Sequence, residues 1–364
     1  GGPAGSCESL RLAIADLAAS FPGRYTNAAA HLARLDAIAA DLTHAAPAAV
    51  ADAGLRLEAL RREALLANPL LDFDRLLVVR RLVRQMGFPM NWQGNSSLPR
   101  TGYSNEIAIL TNLRGGGDLA TLYRPPGGEF VGDVELDFDA SRLLFSMPAD
   151  GRAWRVFELP LAGGAAPAAL PLILDDDVDN YDPCLLPDGD VIFASSAPFT
   201  GVPCVTGHDH VANLYRWHRA DGSIRRLTFE QDHDWCPTVL PDGRVLYLRW
   251  EYSDLPHFVS RILFTMNPDG TAQRAFYGSN SYWPNAMFYA RPVPGDPSRF
   301  FAVVGGHHDH PRMGELVLFD TRRGRVEAEG AVQRIPGRGR TVEPVLLDGL
   351  RSEEHTSELQ SRQS

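Results

Sequence analysis

Apolar positions near the start of the chain recur at intervals of three and four: Leu10, Ala13, Ile14, Leu17 and Phe21, then Leu32, Leu35, Ile38 and Leu42 after a Thr26/Asn27 cap candidate, then Val50, Ala53, Leu57, Leu60 and Ala64 after Pro47. That spacing places each set on one helix face, so residues 8–66 predict two or three amphipathic helices. Their alanine content keeps the helices slim, which suits a hairpin packed on something larger or a short coiled coil. The segment reads as a docking arm or as an N-terminal helical cap of a β domain.

After Asn68-Pro69 the period changes to that of strands. Arg75 to Arg81 is a short β-branched run, Gln93 to Arg100 is loop, and Glu106–Leu110 pairs with Leu119–Tyr123 across Arg114-Gly115-Gly116-Gly117-Asp118. Units then succeed one another from Asp133 to Leu161, Tyr181 to Phe229, Trp235 to Tyr277 and Trp283 to Ile335, and another begins near Glu343-Pro344. Each passes from a strand through a turn to an apolar strand such as Arg142–Phe145. An outer pair comes next, such as Asn213–Trp217 and Ser223–Leu227 across Ala220-Asp221-Gly222, or Ile262–Met266 and Ala272–Phe276 across Pro268-Asp269-Gly270.

Two stretches are near copies. Asp179-Asn180-Tyr181-Asp182-Pro183-Cys184 leads into Leu186-Pro187-Asp188-Gly189, and Asp232-His233-Asp234-Trp235-Cys236-Pro237 leads into Leu240-Pro241-Asp242-Gly243, 54 positions later. In Pro-Asp-Gly, Pro presets the first turn dihedral, Asp bonds its own backbone and Gly takes the left-handed conformation, so the motif between apolar runs marks a hairpin. Phe145, Phe193 and Tyr247 keep a period of 48 and 54 residues. Four-stranded units of that length point to propeller blades. The expected fold is mainly β, a β-propeller of six to seven blades when complete and about five represented here, with an N-terminal α-helical segment. Its expected division is a helical segment 1–68, a propeller 69–350 and a non-native tail 351–364. At Arg351 the text turns abruptly polar, and Arg351 to Ser361 resembles translated sequencing-adapter text, so the propeller is expected to run on past Leu350 in the natural gene.

Composition narrows the partners. Of 364 residues, 44% are hydrophobic and 22% charged, and no stretch approaches the roughly 18–20 apolar residues of a membrane span. The net charge of −10, with no stripe of Lys and Arg to release phosphate counterions, argues against nucleic acid. Protein or carbohydrate bound through the propeller rim is the expected partnership. The chain opens Gly1-Gly2-Pro3 without methionine, which leaves room for a signal peptide upstream.

Candidate chemistry concentrates in the lead-ins to the strands. Asp179, Asp182, Asp232 and Asp234 recur just before inner strands, at corresponding places in two blades, and read as an acidic rim able to hold calcium or meet a cationic ligand, or as turn-capping aspartates satisfying backbone amides. Tyr181, Trp235 and Trp283 in the same lead-ins would stack on a sugar or pack blade against blade. His233 lies between two of the acids. His208 and His210, and His307, His308 and His310, are candidate ligands of a divalent metal, or loop histidines bonding neighbouring backbone. His307 and His308 cannot point the same way from an extended strand, so at most one or two of the last three would share a site. Cys184 and Cys204 would form a bridge in an oxidising compartment or remain buried thiols.

Leu-Pro-Asp-Gly-Arg-Val units resemble TolB-type propeller repeats. Over Asn91 to Glu343 a larger set resembles proteins of the hydrazine synthase alpha subunit family: Asn91-Trp92-Gln93-Gly94-Asn95, Asp179 to Cys184, Gly201-Val202-Pro203-Cys204, His210 to Arg216, Asp232 to His257, Asn280 to Asn285, Gly305-Gly306-His307-His308 and Arg312-Met313-Gly314-Glu315. The resemblance implies a large exported bacterial protein, periplasmic or extracellular, in which a propeller accompanies a c-type haem region. Covalent haem attachment needs Cys-x-x-Cys-His, and Cys204-Val205-Thr206-Gly207-His208 lacks it, so the haem would belong to a region beyond this stretch and no cofactor is expected within it. The expected function is a propeller scaffold or binding domain without catalysis of its own. Two alternatives stand beside it: part of a c-type haem redox enzyme, and a metal-dependent lyase or hydrolase using the histidine clusters.

Overall fold

A computed structural model describes residues 3–44, 46–162, 164–202, 207, 209–252, 261–306 and 310–335. The unit expected near Glu343, the tail 351–364, Cys204, His208, His307 and His308 lie outside the described residues. Among those described, the chain forms two compact units, one of residues 3–78 with 107–123 and one of 79–106 with 124–335.

The first unit holds three helices, α1 (Pro3–Ser20), α2 (Ala28–His44) and α3 (Pro47–Leu66). Pro47 opens α3 at a position whose N–H has no intrahelical partner to lose. The predicted faces meet in one core: Leu10, Ile14 and Leu17 of α1, Leu35 and Ile38 of α2, and Ala53, Leu57, Leu60 and Ala64 of α3. Strands β1 (Arg75–Arg81), β2 (Asn105–Thr111) and β3 (Asp118–Tyr123) form a three-stranded sheet in that order, with β2 and β3 antiparallel from Ile107↔Tyr123 to Thr111↔Asp118.

The second unit contains four blades, each a four-stranded antiparallel meander. The first is β4 (Gly132–Leu136), β5 (Arg142–Pro148), β6 (Trp154–Pro160) and β7 (Ala168–Ala169), and the second is β8 (Asn180–Leu185), β9 (Val191–Ser195), β10 (Asn213–Trp217) and β11 (Ile224–Arg226). The third is β12 (Asp234–Val239), β13 (Val245–Trp250), β14 (Arg261–Met266) and β15 (Arg274–Tyr277), and the fourth is β16 (Ala286–Val293), β17 (Asp296–Gly305), β18 (Glu315–Asp320) and β19 (Ala331–Ile335). A single parallel bridge, Arg261↔Ala286, links the third and fourth. The chain is thus mainly β, a propeller with an N-terminal α-helical segment, as its repeats predict.

The turns work as their sequence demands. Gly189, Gly222, Gly243 and Gly270 all take positive φ, from +73° to +89°. In each turn the preceding Asp accepts a backbone N–H two residues on: Asp188 from Asp190, Asp221 from Ser223, Asp242 from Arg244 and Asp269 from Thr271, at 2.9–3.1 Å. The apolar strands so aligned bury Phe193, Leu246 and Tyr247 completely. Burial of one such side chain contributes about 1.5–3 kcal/mol. Tyr181, Trp235 and Phe288, from the first strands of three successive blades, belong to the same core.

Candidate functional site

The first strand of every blade carries the same irregularity. Pairing shifts between Gly132 and Glu135 in β4, Tyr181 and Cys184 in β8, Trp235 and Thr238 in β12, and Phe288 and Arg291 in β16. At each shift one residue is left-handed: Asp133 (φ +49°), Asp182 (+56°), Cys236 (+52°) and Tyr289 (+54°). A bulge of this kind frees a residue from the ladder and re-aims its side chain. The four recur 49, 54 and 53 positions apart. They also bond from blade to blade, since the Asp182 N–H donates to Ser146 Oγ at 2.9 Å and the Cys236 N–H donates to Asp182 Oδ2 at 2.5 Å.

Residues 91–100, of which 93–100 are expected as loop, are tied to every blade. Asn95 donates to Asp133 of the first at 2.6 Å. Arg100 pairs with Asp179, ahead of β8, at 3.1 Å, and Gln93 donates to Asp209 at 2.9 Å. A Cβ on Gly94 would overlap Tyr181 Oη and lie 3.5 Å from Trp235 Nε1, so only glycine lets the backbone come this close to the second and third blades. Asn91 donates to the Gly306 carbonyl at 2.7 Å and accepts the Arg312 N–H at 2.7 Å, while Arg312 Nη2 donates to the Gln93 carbonyl at 2.9 Å, which secures the fourth.

The register locates the expected site residues. Asn180 faces Ser195 and Asp234 faces Arg249, so the equivalent pairs are Asn180 and Asp234, Tyr181 and Trp235, and Asp182 and Cys236. The four aspartates do not hold equivalent positions, because the near-repeat is offset when its acids are matched to one another. Asp179 is buried, accepting the Trp154 N–H at 2.8 Å besides Arg100. Asp232 is buried and accepts the Tyr252 N–H at 2.9 Å, with burial raising its pKa to about 6. Asp234, fully buried, meets Arg249 Nε at 3.0 Å; burial still raises it to about 6 against that attraction. Asp182 rises to about 7 through burial and the charge of Asp133, opposed by the Cys236 N–H and by Arg312 and Arg291.

His233 is fully buried, and its Nδ1 accepts the Ala212 N–H at 3.0 Å, which puts the ring proton on Nε2. It lies in a stack. Trp235 is 4.2 Å away and nearly parallel, Trp250 is 6.3 Å away and parallel within 8°, and the guanidinium groups of Arg312 and Arg261 cover Trp235 and Trp250 at 5.2 and 4.4 Å. Burial first, then these two cations, drive the imidazole pKa well below 6.5 and keep it neutral. Trp283 stands apart from this cluster, where its ring packs 6.0 Å from Phe319 and its backbone N–H donates to Glu327 at 3.0 Å.

His210 and His310 are on exposed loop positions. Among the described residues no three His, Cys, Asp or Glu side chains are arranged to hold a metal ion. Cys184 and Cys236 are buried free thiols. No described helix is long and apolar enough to cross a membrane.

Two cavities accompany these groups. One of about 460 Å3 lies between Ser96, Arg100, Arg152, Asp177, Asp179 and His210. The other, of about 210 Å3, opens among the bulged residues and is lined by Asp133, Glu135, Asp182, Tyr289, Arg291 and Arg81. Of these only Asp182 was singled out by sequence. The others carried a signal in their spacing, since Asp133, Asp182, Cys236 and Tyr289 keep the blade period.

No family model and no curated protein matches the chain. Among solved structures it is similar to hydrazine synthase of Kuenenia stuttgartiensis, at 14% identity and a TM-score of 0.54 over 68% of this chain and 37% of that one. It therefore spans well under half of the hydrazine synthase chain, with which it shares the fold. Putative TolB of Agrobacterium tumefaciens (15% identity, TM-score 0.43, 72% of this chain and 89% of that) and TolB of Acinetobacter baumannii (12%, 0.38, 72% and 67%) superpose more loosely.

Proposed function

We propose that this chain is the propeller scaffold and binding domain of a larger exported bacterial protein, and that it carries no catalysis of its own. The observation that carries the reading is the tie between residues 91–100 and all four blades. Groups suited to acid–base work are spent on it or on the blades: Asp179 on Arg100 and the Trp154 N–H, Asp182 on Cys236, and Asp234 on Arg249. His233 is neutral and enclosed by tryptophans, whereas a general base must reach its substrate's proton within about 3 Å. The motif set over Asn91 to Glu343 supports the larger exported protein, and exposed loops between blades are the surface for a protein or carbohydrate partner.

The test is chemical recovery. Any small molecule found to bind the purified chain is incubated with it and followed by NMR; a scaffold returns it unchanged. Turnover that disappears on replacing Asp182 or His233 would overturn the proposal.

A further inference from the structure

The cavity of about 210 Å3 among the bulged residues has the volume of about seven water molecules at about 30 Å3 each, room for a solute of about six heavy atoms. Its lining carries both signs, with Asp133, Glu135 and Asp182 against Arg81 and Arg291. These groups sit deep in the propeller yet keep part of their surface accessible. Several are incompletely used among the described residues. Asp133 commits Oδ2 to Asn95 and Asp182 commits Oδ2 to the Cys236 N–H, which leaves Oδ1 of each without a hydrogen bond. Arg81 gives its terminal nitrogens to the carbonyls of Met86 and Val131, and its buried Nε–H has no acceptor. Arg291 donates to its neighbour's carbonyl at 3.2 Å and stands 3.7 Å from Glu135, beyond hydrogen-bonding reach.

Open carboxylate oxygens and the loosely paired guanidinium of Arg291 on the wall of one small cavity define a ligand with both poles. We propose that this cavity binds a small zwitterion of the α-amino-acid class, its ammonium group held by Asp133 and Asp182 and its carboxylate by Arg81 and Arg291. A simple cation would leave Arg291 with only its 3.7 Å contact to Glu135, and a simple anion would face three carboxylates, Asp133, Glu135 and Asp182. Tyr289 and Phe130 also line the cavity, and its volume limits the side chain to a small one. This inference rests on the binding-domain reading and names its ligand.

The experiment is calorimetric titration of the purified chain with glycine, L-alanine, methylamine and acetate. Glycine or L-alanine is expected to bind saturably, with methylamine and acetate at least about ten-fold weaker, a difference of about 1.4 kcal/mol. Asp133→Asn and Asp182→Asn keep side-chain size, and Asn tolerates the left-handed backbone at both positions. Each is expected to weaken binding at least about ten-fold while near-ultraviolet circular dichroism stays that of the wild type. Methylamine binding as tightly as glycine, no binding by any of the four, or binding undiminished in both variants overturns the proposal. Glycine bound and then consumed would leave the site standing and remove the non-catalytic reading instead.

Discussion

Gly94→Ala places one methyl group where residues 91–100 press on the blades. Its Cβ would overlap Tyr181 Oη and lie 3.0 Å from Tyr181 Cζ, well inside ordinary carbon–carbon contact. Tyr181 cannot step aside, because it is only 1% exposed and its ring packs edge-on against Trp154 at 6.5 Å. Overpacking of this kind costs about 1–3 kcal/mol. For a domain of this size each kcal/mol lowers Tm by roughly 2–4 °C. The assay is urea and thermal unfolding of Gly94→Ala, Tyr181→Phe and the double variant. Tyr181→Phe removes the oxygen that the methyl meets, so the double variant should recover part of the loss, with a coupling of about 0.5–3 kcal/mol. Gly94→Ala within about 0.5 kcal/mol of wild type, or strictly additive effects, would refute the close approach.

Other expectations rest on individual groups. Arg249→Leu leaves the carboxylate of Asp234 buried without its guanidinium and should destabilise by about 3–5 kcal/mol in urea unfolding; a loss below about 1 kcal/mol would contradict the buried pair. Asp182 has a folded pKa raised above its ordinary value of 3.8, so its contribution is fully present below about pH 4 and is lost as pH rises through about 7. Asp133, Arg291 and Arg312 act on that carboxyl, and Asp182→Asn should therefore flatten the fall of Tm between pH 4 and 8 relative to wild type; parallel profiles would count against it. His233 should show a neutral imidazole, protonated on Nε2, in nitrogen NMR well below pH 6.5, and titration near 6.5 would exclude the buried stack.

The blades were legible because their turns obey local rules. Pro-Asp-Gly and Ala-Asp-Gly set left-handed glycines at Gly189, Gly222, Gly243 and Gly270, and the Asp side chains close the same turns. The helical faces were legible for the same reason, their period matching the core of Ile14, Leu35 and Leu57. The bulges were not. A left-handed residue announces itself when it is glycine, but Asp, Asp, Cys and Tyr fill these four positions, and Cys and Tyr seldom adopt that backbone. The acids of the lead-ins were visible as residues, but their spacing differs between the two blades, so that Asp182 is the counterpart of Cys236 and not of another acid. Residues 93–100 read as loop because the partners of this segment lie far away in sequence, Gln93 to Asp209 and Arg312 among them. Periodicity carries no information about such a contact.

Amide hydrogen exchange of residues 91–100 tests the central claim most directly, that this segment is held among the blades and uses their acids and aromatics. The Ser97 and Leu98 amides are hydrogen-bonded within the segment, to Gly94 and Asn95 carbonyls, and the Gln93 amide to the Met90 carbonyl just before it. They should exchange as slowly as the first strands β8 and β12. Exchange at the rate of an exposed loop, with β8 and β12 still protected, would contradict it.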